Sequence, residues 1–257
     1  MIKRDVIRYC SYLFLFFSVF LVLLPTAQAD QSQSGPFVVV ELFSSEGCSS
    51  CPAADLLVSK LTAWARQNNQ PVFPLIFHVD YWNSYGWRDV FSSAGYTQRQ
   101  NEYARIFKDQ GLYTPEMIVN GSDAFVGSDQ GHLQQDINQE LSSQGSVILR
   151  AEFKKQMDQI IVKYSAEGYS KGDVVHIALV ERGLSTDVTA GENAGRTLHH
   201  DNVVKEFQTM ALTKAGGKAI ISLSRIHDIS QASVIVYVQN PQTMLIEGAK
   251  QLDLEND

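Results

Sequence analysis

The 257 residues carry 21 basic and 28 acidic side chains, a formal net charge of −7, and 44% apolar residues. An acidic chain without a basic cluster makes a poor nucleic-acid binder. Three cysteines in this length exclude a disulfide-dense scaffold, so the core must be apolar packing.

The N-terminus reads as a secretory signal over residues 1–29. Lys3, Arg4 and Arg8 precede an apolar run from Ser11 to Leu24, and Ala27-Gln28-Ala29 offers a cleavage site before Asp30. The run is shorter than the ~20 residues of a membrane-spanning helix. Export to the periplasm or beyond, with no membrane association after cleavage, is the expectation; an uncleaved anchor is the alternative. Cleavage would remove Cys10 together with Lys3, Arg4, Arg8 and Asp5, moving the net charge from −7 to −9 and leaving Cys48 and Cys51 as the one cysteine pair.

Residues 30–145 alternate strand-like and helical patterns. Phe37–Phe43 is a continuous apolar run suited to a buried parallel strand. A helix follows it, with Ala54, Leu57, Val58, Leu61, Trp64 and Ala65 at helical spacing, Pro52 in the first turn and Asp55 near the positive end of the dipole. Val72–Val79 is a second strand. A second helix is expected over Thr97–Lys108, stopped by Gly111. Met117–Val119 and Ala124–Val126 flank Asn120-Gly121 as a hairpin, and Ser128 is expected to cap a third helix carrying Leu133, Ile137 and Leu141.

The boundary is placed in Ser142–Ser146. Residues 146–257 read as short strands separated by turns: Val147–Phe153, Gln159–Ala166, Val174–Glu181, Thr197–Phe207, Ala219–Leu223, Ser233–Val238 and Met244–Glu247. That pattern suits an antiparallel sandwich.

Cys48-Ser49-Ser50-Cys51-Pro52 is the segment with chemistry. A structural zinc site needs four ligands and no second CxxC exists, so no metal is expected here. Between a buried strand and a helix start, unpaired N–H groups and the dipole favour a thiolate. Cys48 is therefore expected to be the exposed nucleophile of lowered pKa, and Cys51, one turn into the helix, the resolving thiol. An inert disulfide across the same turn is the other reading.

The strand, the Cys48–Pro52 motif, the helix and Thr114-Pro115 before the hairpin resemble the thioredoxin superfamily. More narrowly, Glu41 to Pro52, His78-Val79-Asp80-Tyr81-Trp82 and Tyr113-Thr114-Pro115 resemble a family of secreted, uncharacterised bacterial thioredoxin-like proteins. The resemblance implies an α/β thioredoxin-like domain followed by an all-β antiparallel sandwich domain. It also implies a cis Pro115 facing the dithiol, with the Thr114 backbone free to pair with an extended substrate. Glu41 stands where thioredoxins hold a buried acid that relays protons to the resolving cysteine; a strand-edge carboxylate is the alternative.

The two strands should end at one sheet edge, bringing Tyr81, Trp82 and Trp87 beside Cys48 as an aromatic rim for a partner or as a cap on the core. In Gly191–Asn202, His199 and His200 are neighbours on a strand and so point to opposite faces, which favours local hydrogen bonding over a shared metal.

The expected activity is thiol-disulfide exchange with a protein substrate and a redox partner. No cofactor is needed, since the electrons reside in the cysteine pair. A copper-handling protein and a redox-inert peptide-binding module are the rival readings.

Overall fold

A computed structural model describes residues 35–108 and 111–256. The expected signal and its cleavage site lie outside the described residues. Among those described, no helix is long and apolar enough to cross a membrane.

The elements run β1 (Val38–Ser44), α1 (Cys51–Gln67), β2 (Val72–His78), α2 (Ala94–Phe107), β3 (Glu116–Val119), β4 (Asp123–Val126) and α3 (Gln130–Glu140). Then come β5 (Ile148–Gln156), β6 (Gln159–Glu167), β7 (Val174–Glu181), β8 (Leu184–Val188), β9 (Arg196–His200), β10 (Val203–Ala211), β11 (Gly216–Ser222), β12 (Ala232–Gln239) and β13 (Ile246–Asp253).

The fold class read from the sequence requires correction. One mixed eight-stranded sheet, in the order β13-β12-β7-β10-β2-β1-β3-β4, runs through both halves of the chain. The molecule is mostly β with three α-helices among the described residues, not a thioredoxin-like α/β domain followed by a separate sandwich. The join is made by β10 lying parallel to β2, with Val203 opposite Ile76 and the Ile76 N–H donating to the Asn202 carbonyl at 2.9 Å. Periodicity reports which residues are buried on a strand; it does not report which strand lies alongside.

Pro74 shows how β2 accepts that neighbour. Pro74 and Ile76 share the side that faces β10, and β10 pairs with β2 only at Ile76. Pro74 thus removes a donor where no strand needs it, and Asn202 Nδ2 donates to its carbonyl at 2.8 Å.

Both faces of the large sheet are covered. On one, Val39, Phe43 and Phe77 of the first half share a core with Tyr96 and Tyr103 of α2 and with Ile235 and Tyr237 of β12. On the other, Val40, Leu42, Ile76 and Met117 pack under α1 and α3. That second face is continued by the small sheet β11-β6-β5, whose Ile160, Val162 and Ile221 meet Ile177, Leu179 and Val236. The first core therefore crosses the boundary expected from sequence composition.

Local signals read with small differences. The second helix begins three residues earlier than expected, with Ser93 Oγ accepting from Gly95 N, and ends at Lys108 in the left-handed conformation rather than at Gly111. The third is capped by Asp129, which accepts from His132 N, rather than by Ser128. Thr197–Phe207 divides into β9 and β10 at Asp201-Asn202, where Asn202 takes a φ of 54°.

Candidate functional site

β1 is buried along its whole length and delivers the chain to a tight turn at Ser45–Ser50. Cys48 N donates to the Ser45 carbonyl at 3.2 Å, and Gly47 N to Ser45 Oγ at 3.1 Å. A side chain at Gly47 would stand 3.2 Å from Trp82 Cβ, so the turn passes close against that ring's root. α1 starts at Cys51, with Pro52 in its first turn, where a missing N–H costs nothing. Cys51 is thus the first helical residue, not one turn in, and Cys48 lies in the turn before it.

Cys48 and Cys51 form a disulfide with their Cα atoms 5.4 Å apart. Their residues are 1% and 0% exposed, so the expectation of an exposed Cys48 is corrected; Ser49 and Ser50 are the exposed members of the motif. Cys48 Sγ lies 3.3 Å from Ser50 Oγ and 3.7 Å from the Thr114 carbonyl oxygen. The Thr114–Pro115 bond is cis. Gly127 N donates to the Pro115 carbonyl at 2.9 Å, which ties that turn to the end of β4.

Tyr81 and Trp82 come to this edge but do not form a free rim. Trp82 Nε1 donates to Thr114 Oγ1 at 2.7 Å, and Tyr81 donates to Gln100 Oε1 at 3.3 Å. Burial pushes the Tyr81 hydroxyl up to about 12. Both rings are half-buried against the core.

Glu41 is not brought to the dithiol. Strand alternation sends Val40 and Leu42 toward α1, and Glu41 to the opposite face with Val39 and Phe43. There its carboxylate accepts from Arg99 Nε at 2.8 Å, from Tyr237 Oη at 2.9 Å, and from Tyr103 Oη. Arg99 is enclosed by the Phe77, Tyr103, Phe207 and Tyr237 rings. Burial raises the Tyr103 and Tyr237 hydroxyls well above the ordinary tyrosine range. Glu41 serves as a link between the two halves of the sheet, where the sequence suggested a proton relay.

The residues that do surround the dithiol come largely from the second half. From the loop between β8 and β9, Glu192 Oε2 accepts from Ser49 N at 2.9 Å. Asn193 Nδ2 donates to the carbonyls of Glu46 at 2.8 Å and Cys48 at 2.9 Å, with Asn193 itself fully buried. His200 then enters from β9. Its ring nitrogens lie 3.2 Å from Asp55 Oδ2 and 3.5 Å from Glu46 Oε1, neither contact aligned as a hydrogen bond, so the pairing is one of charge. Burial disfavours the charged imidazole, but the two carboxylates prevail and raise it to about 10.

Asp55 also accepts from Ser44 Oγ at 2.7 Å. Asp89 accepts from Glu46 N at 2.8 Å and lies 2.7 Å from His78 Nδ1; burial opposes its ionisation, yet His78 and the backbone donors hold its carboxyl below the usual range. His199 is exposed on the other side of β9, so the adjacent histidines face apart. The one sequence signal for these partners is the polar run Gly191–Asn202; nothing in it specified the dithiol as its target.

Among the described residues, Asp123, His132 and Asp136 place ligand atoms within 4.8 Å of one another. His132 Nε2 lies 2.8 Å from Asp123 Oδ2, so an ion pair already occupies that arrangement when His132 is protonated.

A family model described as a protein of unknown function, DUF1223, matches residues 39–239. Among solved structures, the chain is similar to protein AGR_C_4864 from Agrobacterium tumefaciens, at 28% identity and a TM-score of 0.64, over 87% of this chain and 96% of that one. A DUF3823 family protein from Bacteroides ovatus matches at 13% identity and a TM-score of 0.28, over 42% of this chain and 55% of that one, an overlap too low to carry an argument. No curated protein gives a significant match. Spanning both the dithiol and most of the shared sheet, the match to residues 39–239 establishes that the chain belongs to the DUF1223 family, whose function is unknown.

Proposed function

We propose that this chain is an exported thiol-disulfide oxidoreductase acting on protein thiols or disulfides through Cys48 and Cys51. The observation that carries the reading is the disulfide at a turn beneath two exposed serines, with Cys48 Sγ 3.7 Å from the Thr114 carbonyl. That carbonyl is a backbone acceptor beside the reacting sulfur, suited to an extended peptide. This local likeness to the thioredoxin superfamily belongs to the dithiol and its facing proline alone.

In the oxidising direction a substrate thiolate attacks Cys48 Sγ. A mixed disulfide forms, the Cys48–Cys51 bond breaks, and Cys51 leaves as a thiolate that takes up a proton. A second substrate thiolate then attacks the mixed disulfide; the substrate departs oxidised and the pair retains two electrons. The reducing direction is the reverse. The electrons stay on the sulfurs, so no organic cofactor enters. Nucleic acid has no part in this reading, and the membrane none once the signal is removed.

The burial of Cys48 favours a second reading, a redox-inert module whose disulfide stays closed. One experiment separates them. A Cys51→Ser variant expressed with its export signal is expected to accumulate mixed disulfides through Cys48; capture of none, where a control oxidoreductase is trapped, would leave the inert module. For a pair that cycles, a potential near about −270 mV indicates a reductant and one of about −120 to −180 mV an oxidant or isomerase.

A further inference from the structure

Buried ionisable side chains lie on the segments that flank the dithiol or pair with them, and the exchange chemistry above uses none of them. Glu46 precedes Cys48 by two residues. Asp55 follows Cys51 by four on α1, so the two share a helix face. His200 reaches both carboxylates from β9 and so spans the segments on either side of the disulfide. The His78 ring lies 5.0 Å from that of His200, and its Nδ1 lies 2.7 Å from Asp89 Oδ2. Lys205 of β10 stands beyond Phe91, 4.8 Å from that ring. All these groups are at most 5% exposed.

Charges enclosed in this way are poorly screened. A one-charge change a few residues away then alters a thiol's ionisation by about tenfold. We infer that His200, bracketed by Glu46 and Asp55, sets the charge beside the dithiol and thereby fixes how readily the reduced cysteines ionise. The purpose of this device rests on the exchange reading; its physics does not.

The sign follows from the pairing. His200 keeps its proton between the two acids, so the cluster holds a cation between two anions. Removing the cation leaves the acids uncompensated and makes a thiolate beside them harder to form. Neutralising Glu46 leaves one cation against one anion, a cluster less negative than in the parent, and makes it easier. A residue that acted only by packing would shift both variants in the same direction. His200 is thus a positioning residue for charge, acting through the field at the cysteines.

The test is alkylation of the reduced protein across pH, counted at Cys48 and Cys51 by mass, in the parent, His200→Gln and Glu46→Gln proteins. The pH of half-reaction is expected to rise by about one unit in H200Q and to fall by about one unit in E46Q. Shifts of the same sign, or none in either, overturn the inference. Should E46Q fail to fold, Asp55→Asn replaces it with the same expected fall; should H200Q fail, His200→Asn replaces it with the same expected rise. The same samples are equilibrated in glutathione buffers. Opposite shifts without redox cycling would remove the exchange reading and keep the charge-setting role, whereas cycling with parallel shifts would do the reverse.

Discussion

Asn193 Nδ2 donates to the Cys48 carbonyl at 2.9 Å, although 145 residues of chain separate the two. The same nitrogen holds the Glu46 carbonyl at 2.8 Å. One side chain from the second half therefore holds two carbonyls of the turn that presents the dithiol.

Asn193→Ala leaves two buried carbonyls without this donor. A loss of about 1–3 kcal/mol in stability is expected. Because the turn loosens as well, Cys48 should be alkylated faster in the reduced variant than in the parent, and amide exchange at Ser49 should accelerate. Unchanged thiol kinetics would show that Asn193 does not control access.

Glu41→Ala removes the anion from a buried pair and strands the Arg99 cation among aromatic rings. Breaking such a pair costs about 3–5 kcal/mol, read as a lowered denaturant midpoint. The titration of the cysteines should stay where it was, since Glu41 faces away from α1. A moved thiol titration would return Glu41 to the proton relay that its position in the sequence suggested.

His200 also makes stability depend on pH in a defined window. Its folded pKa, about 10, lies above the ordinary value of 6.5. The stabilisation is therefore fully present below about pH 6.5 and is lost as pH rises through 10. Chemical unfolding of the oxidised protein between pH 6.5 and 10 should show that decline, on the order of a few kcal/mol, and His200→Gln should flatten it. Asp89 works at the acid end, since a lowered carboxyl contributes above its unfolded pKa and is lost as pH falls through the folded one.

Gly127 lies against the turn that faces the cysteines. A Cβ there would meet Leu42 Cδ1 at 2.7 Å and Pro115 Cβ at 3.0 Å. Gly127→Ala should cost about 1–3 kcal/mol through overpacking. The displaced Pro115 should carry Thr114 away from Cys48, which mixed-disulfide yield in the Cys51→Ser background would report. The outcome against this is a variant that matches its parent in both stability and yield.

Much of the local structure was legible in the residues. The buried run at Val38–Ser44, the helix after Pro52, the hairpin around Asn120-Gly121 and most later strands follow from period, turn chemistry and caps, which act over a few residues. The dithiol was legible for the same reason: two cysteines at this spacing beside a helix start form a local unit.

What the sequence by itself determined is which segments are strands or helices and which one carries the cysteines. Only the tertiary structure decided that β10 extends the first half's sheet at Ile76, that Glu41 turns toward Arg99, and that Asn193 and His200 close around the cysteine turn. Those outcomes depend on pairings across 58 to 145 residues. A strand's pattern states that it has a buried side and leaves its neighbour open, and a polar side chain becomes a partner only when the fold excludes water around it.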